Sequence, residues 1–210
     1  MLQYLVLLLA IGVSACSKPP PELDDLGPLP SFVLVDQTGK TVTDQNLRGT
    51  VWAANFLFTS CPTACPPLAK ATAELQAQIA PWAMDGPAVK LVSISVDPMT
   101  DTPQVLTQFG QKYGANPQTW SFLTGNYETM ERLVVSGFMQ AIIRSDLPGA
   151  DLPRDTTAMM QPTPLDTAHS LRFVLVDQRG HLRAMYNKEP DDLQRLAATM
   201  RWLRDHPPGD

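Results

Sequence analysis

The residues of this sequence best suited to chemistry are Cys61 and Cys65, in the run Phe58-Thr59-Ser60-Cys61-Pro62-Thr63-Ala64-Cys65-Pro66-Pro67. Two thiols four positions apart on one turn can exchange a disulfide, or they can hold a soft metal ion. A two-sulfur site is incomplete for a metal that must be held and handed on, so the histidines matter. His206 lies in a Pro/Gly-rich tail and His181 follows a hairpin turn; both read as surface residues. His169 ends a long irregular run and stands just before a strand. Two thiolates and one imidazole make a soft, low-coordinate set that suits Cu(I) and accepts Cu(II), whereas zinc normally wants a fourth ligand.

The flanking elements say whether these groups can meet. Val51 to Phe58 is nearly continuously apolar, which predicts a strand buried on both faces. Pro66 and Pro67 suit a first helical turn, and Leu68, Thr72, Leu75 and Ile79 recur at helical spacing to about Ala80. Val89 to Val96 predicts a second core strand, Thr102-Pro103 opens a helix through Leu106 and Phe109, Trp120 to Thr124 is a short strand, and a helix follows over 126–138. Residues 144–167 carry prolines and no clean period, so they form a long excursion of the kind that usually has a function. A hairpin (Leu171–Val176, Leu182–Tyr186) and a helix over 191–203 close the chain. The runs Phe32 to Gly39 and Phe173 to Gly180 repeat one pattern, a strand entering a turn with glycine where φ is positive, so each predicts a hairpin.

This order describes an α/β, thioredoxin-like fold with an N-terminal β-hairpin and a long loop insertion before the final hairpin. In that architecture a cysteine pair sits where the first core strand meets the next helix, and the loop ending in His169 faces it. Helix-terminal N–H groups stabilise a thiolate there. Thioredoxins keep two residues between their cysteines; this chain keeps three, which widens the turn.

The front of the chain is different in kind. Residues 1–15 carry no charged side chain and are too short for a convincing membrane span, but suit the apolar core of a secretory signal. Val13-Ser14-Ala15-Cys16 resembles a bacterial lipoprotein cleavage box, with Cys16 as the lipidated residue; an ordinary signal peptide or a short anchor is the alternative. Lipidation of Cys16 would account for the odd cysteine and leave Cys61 and Cys65 as a pair. Residues 16–30 are rich in proline and acids and read as an extended tether, so folding is expected from 31 to 206, one domain of about 180 residues. With a net charge of −5 and no basic run, nucleic-acid binding has no electrostatic support.

Three motifs in order, Phe58 to Pro66 with its two cysteines, Ser95-Val96-Asp97-Pro98-Met99-Thr100-Asp101-Thr102-Pro103, and His169-Ser170 before a strand, resemble the Sco/SenC family over about residues 30–205. The resemblance implies a membrane-tethered, thioredoxin-like copper protein that serves assembly of the binuclear copper centre of cytochrome c oxidase. By position it implies copper ligands at Cys61, Cys65 and His169, with Asp97 as an acid beside the site; helix capping is the other reading of Asp97. It further implies partners: the copper-bearing oxidase subunit, a copper donor, a thioredoxin-like reductant, and the membrane through a lipid anchor on the periplasmic side. Thr63 and Ala168 stand where many members carry Asp, so this site is less negative than theirs. Met159 and Met160, in the loop before His169, read as loop packing or as transient soft contacts. A copper carrier and a thiol-disulfide reductase of the same target both fit; a peroxidase-like role has no dedicated residues.

Overall fold

A computed structural model of the protein describes residues 23–86, 88–138 and 172–208. The leader, Cys16, and the excursion bearing Met159, Met160 and His169 lie outside the described residues. Seven strands form one sheet: β1 (Val33–Asp36), β2 (Thr41–Thr43), β3 (Val51–Leu57), β4 (Val89–Ser95), β5 (Trp120–Thr124), β6 (Arg172–Val176) and β7 (Leu182–Asn187), in the order β2-β1-β5-β4-β3-β6-β7. The central strands β3, β4 and β5 run parallel, and hairpins close both edges. The helices are α1 (Cys65–Ile79), α2 (Pro103–Lys112), α3 (Tyr127–Glu131), continued by a π-helical turn at Arg132–Gly137, and α4 (Pro190–Asp205).

β3 is buried at every position, as its apolar run requires. Its alternate side chains serve two cores. Val51, Ala53 and Leu57 meet Leu68 and Leu75 of α1, Leu106 of α2 and Leu196 of α4 on one face. Trp52, Ala54 and Phe56 meet Leu133, Val134 and Phe138 on the other, with Phe138 edge-on to both Trp52 (5.9 Å) and Phe56 (5.0 Å). A strand covered on both faces is rigid, and its C-terminal end is therefore a firm base for the loop that carries Cys61.

The two echoing runs do form hairpins built alike. Asp36 accepts the backbone N–H of Thr38 (2.8 Å) and Lys40 (3.0 Å), and Asp177 accepts those of Arg179 (2.9 Å) and His181 (3.0 Å). In each, the glycine sits at positive φ, 85° at Gly39 and 74° at Gly180, a region most residues enter only with strain.

The tether boundary moves. Residues 23–30, expected to stand outside the fold, lie along the final hairpin. Leu26 N–H donates to Leu182 O, Leu182 N–H to Gly27 O and Leu29 N–H to Gly180 O, each at 2.9 Å, and Leu29 is buried. Asp25 meets His181 Nδ1 at 2.9 Å, so His181 is clasped rather than simply solvated. The apolar residues spaced among the prolines give this stretch something to bury, and that outweighs its tether-like composition.

Candidate metal and thiol centre

The cysteine site begins where β3 ends. Phe58 leaves the strand, the chain turns through Thr59 and Ser60, and α1 starts at Cys65 with prolines in its first turn. Ala64, at the N-cap, has no side chain able to accept an orphan N–H, so the helix end is open. The Cys61 sulfur fills that role and accepts the Cys65 N–H at 3.4 Å. The Cys65 sulfur in turn accepts the Phe58 N–H at 3.5 Å. Both cysteines are free thiols and both are buried, Cys61 at 7 % exposure and Cys65 at 1 %.

The two sulfurs are chemically unequal. Burial alone would raise the Cys61 thiol, but the N–H groups of Cys65, Thr63 and Ala64 converge on it and hold it below the ordinary thiol range. Cys65 lies deeper. Burial first, with the neighbouring Cys61 and Asp101, pushes its pKa up to about 12, against a partial offset from the Phe58 N–H. The pair therefore offers one sulfur that gives up its proton more easily than a free thiol and one that keeps its proton until a metal or Cys61 chemistry removes it.

Asp101 is the carboxylate that the fold buries against the cysteine loop. It is fully buried and accepts Thr59 Oγ1 (2.6 Å), Thr59 N–H (3.2 Å to each oxygen) and Ser95 Oγ (2.6 Å). Burial lifts its pKa above the usual carboxylate range, the bonds from Ser95 and Thr59 pull it back, and Asp97 lifts it again. Asp97 lies four residues before Asp101, at the start of the same turn. Its carbonyl accepts Asp101 N–H (2.9 Å) and Thr100 N–H (3.1 Å), and its own N–H donates to Ser95 Oγ (3.0 Å). One signal pointed to Asp101: Thr102, just before Pro103, caps α2 by accepting Val105 N–H (3.3 Å), which leaves the preceding acid without a capping task.

The structure brings Cys61 and Cys65 together. His181 sits on the far hairpin turn with Asp25, and His206 stacks on Trp202 at the end of α4, so neither reaches the sulfurs. Among the described residues no group of three or more His, Cys, Asp or Glu side chains is placed to hold a metal ion, and His169 lies outside them. As a donor set, two reduced sulfurs on one helix start suit a soft, thiophilic ion such as Cu(I).

A parallel β3-β4-β5 core, a dithiol at the start of α1 and flanking hairpins define a thioredoxin-like domain of the dithiol or metal-handling class. Residues 24–204 match the SCO1/SenC family, and the chain belongs to that family. It is 36 % identical over 114 residues to the SCO1 protein homolog of Bacillus subtilis, covering 54 % of this chain and 57 % of that protein, so the match spans little more than half of that relative. It is 30 % identical over 172 residues to a Stutzerimonas stutzeri protein named for copper binding, covering 80 % of this chain and 74 % of that one. Among solved structures, a SCO1/SenC family lipoprotein of Bacillus anthracis superposes with a TM-score of 0.69 at 28 % identity, covering 88 % of this chain and 96 % of that one. BsSco, described as having a disulfide switch and as a member of the Sco family of cytochrome c oxidase assembly proteins, superposes with a TM-score of 0.66 at 27 % identity, covering 88 % and 98 %.

Proposed function

We propose that this protein is a membrane-tethered copper carrier that receives copper on Cys61 and Cys65, with His169 as third ligand, and passes it to the binuclear copper centre of cytochrome c oxidase. The reading rests on one observation: two reduced, buried sulfurs sharing the start of α1 in a chain of the SCO1/SenC family. Copper is here a cargo. The dithiol supplies soft donors, the N–H groups at the helix start favour the ionised form of Cys61, and burial keeps water from competing. A low-coordinate set holds a soft ion while leaving room for an incoming ligand from the acceptor. Lipidation of Cys16 would hold the carrier at the extracytoplasmic face of a bacterial membrane, where a copper donor and a thioredoxin-like reductant would meet it.

The inequality of the two thiols favours a second role, as a thiol-disulfide reductase of the same target. The Cys61 thiolate attacks a target disulfide and releases one target thiolate. Cys65 then loses its proton and attacks the mixed disulfide, leaving a Cys61–Cys65 disulfide and a reduced target. Two electrons pass to the target. Only the dithiol form can take copper, so the redox state of the pair would gate loading.

Titration of the reduced protein with Cu(I), beside His169→Ala, tests the carrier reading. Wild type is expected to take one equivalent and to show a thiolate-to-copper absorption band with Cu(II). His169→Ala is expected to lose tight binding while keeping disulfide exchange. A stoichiometry near zero for the fully reduced wild type overturns the carrier reading and leaves the reductase.

A further inference from the structure

We propose that Asp101 is a positioning residue for the dithiol: its carboxylate latches the turn that carries Cys61 to the end of β4. This goes beyond the carrier reading and rests on it only for the copper readout below. The acid has no exposure at all and sits 36 positions beyond Cys65, yet among the described residues its side-chain bonds go to one short segment and one strand end. Thr59, which gives it three of those bonds, stands two residues before Cys61 and one after Phe58. Phe58 N–H donates to the Cys65 sulfur, and Phe58 O accepts the Cys61 N–H at 3.3 Å. The segment Phe58–Thr59 is thus gripped by Asp101 on one side and bonded to both cysteines on the other. A displacement of Thr59 must move both sulfurs.

The grip is itself braced. Ser95 Oγ gives its proton to Asp101 and accepts the N–H of Asp97, while Asp97 O accepts the N–H of Asp101. Ser95, Asp97 and Asp101 so close a ring around the turn at the end of β4, a central strand paired along its whole length with β3. The partners also explain why the residue is an acid. Thr59 N–H, Thr59 Oγ1 and Ser95 Oγ all donate, and only an acceptor-only group satisfies them together. An amide of the same size would turn an NH2 toward a backbone donor that cannot rotate away.

The test compares reduced wild type, Asp101→Asn, Thr59→Val and the double variant, with Asp177→Asn as a control. Asp177 is likewise a fully buried carboxylate, but it belongs to the hairpin turn at the other end of β3. Two readouts are taken: the relative rates at which iodoacetamide labels Cys61 and Cys65 without metal, and the affinity for Cu(I) together with the Cu(II) absorption band. Asp101→Asn is expected to change the labelling ratio, shift the band, and weaken copper about 10- to 100-fold, the usual cost of losing an outer support. Thr59→Val, which keeps the backbone bonds, is expected to do the same to a smaller extent and to add little in the double variant. Asp177→Asn should lower the melting temperature and leave both readouts at wild-type values. Unchanged labelling and unchanged copper affinity in Asp101→Asn and Thr59→Val would overturn the latch, whatever their melting temperatures. If wild type takes no copper, the carrier reading falls and the labelling ratio alone decides the latch. If Asp101→Asn does not fold, Thr59→Val decides it.

Discussion

At the scale of single residues, the two cysteines were plain in the sequence because their chemistry depends on type and spacing. Their inequality was not. It arises from which N–H groups point at which sulfur, and from 6 % of residual exposure on one side chain beyond the other (7 % against 1 %). The structure turns that inequality into a pH dependence with a definite sign. The Cys65 pKa is raised from 9.0 to about 12, so the folded state keeps that proton where the unfolded chain has released it. Its contribution is fully present below about pH 9 and is lost as pH climbs toward 12. Cys61, held low in the folded state, acts in the opposite sense: its contribution is fully present above about pH 9 and is lost as pH falls through its folded value. Denaturant melts of the reduced protein from pH 8 to 11 should therefore show a decline that Cys65→Ser partly abolishes and Cys61→Ser does not. Equal slopes in all three proteins would remove the physical basis for the asymmetry. Asp101 was hidden for a related reason: its partners lie 42 and 6 positions away, and a residue whose role is set by a turn carries no periodicity to read.

At the scale of elements, the strand-helix order and most boundaries were legible, because hydrophobic period is a local property of each segment. The apolar run of β3 predicted burial on both faces, and Leu68, Thr72, Leu75 and Ile79 do form the inward stripe of α1. What the period could not show is why a threonine belongs in that stripe. Asn55, in the middle of β3, donates Nδ2–H to Thr72 Oγ1 at 2.8 Å, and Thr72 passes its proton to Leu68 O at 2.8 Å; both side chains are fully buried. The pair pins the cysteine-bearing helix to the strand beneath it. Thr72→Val keeps the shape and strands the Asn55 amide, which should cost about 1–3 kcal/mol. For a domain of this size each kcal/mol is worth about 2–4 °C in melting temperature, so the loss is readily measured by calorimetry. Asn55→Ala with Thr72→Val should destabilise by less than the sum of the two single changes, and additivity would show that the two groups do not depend on each other. The π-helical turn after α3 was equally out of reach of local pattern. It follows from Phe138, whose N–H reaches back five residues to Leu133 O at 2.9 Å while its ring wedges against Trp52 and Phe56.

At the scale of the whole molecule, the dithiol and the N-terminal strap occupy opposite poles of the sheet. β6 runs antiparallel to β3 with Val176 beside Trp52, so the turn that follows β6 lies at the start of β3, and Cys61 lies beyond its end. Seven residues of strand separate the poles, about 23 Å at about 3.3 Å per residue. Composition marked the strap as a free tether because its partners stand more than 150 positions away, where no local signal reaches. Its hold is partly electrostatic: Asp25 meets His181 at 2.9 Å and Arg179 at 3.4 Å, and Arg183 Nε donates to Asp24 O at 2.7 Å. The His181 hydrogen bond, helped by Gly27 N–H, holds the Asp25 carboxyl below its ordinary value of 3.8. A depressed acid stabilises the folded form above its unfolded pKa and ceases to do so as pH falls through its folded one. The amides of Leu26 and Leu182, which carry the strap's backbone bonds, should therefore stay protected from hydrogen exchange at pH 5, relative to intrinsic rates, and lose protection well below pH 3.8. Asp25→Asn should show that lower protection already at pH 5, yet shift global stability by no more than about 1 kcal/mol, because the pair lies at the surface and is partly solvated. Copper affinity at the other pole should not move with it. Protection that survives both acid and Asp25→Asn would mean that Leu29 and the backbone bonds hold the strap without its charges.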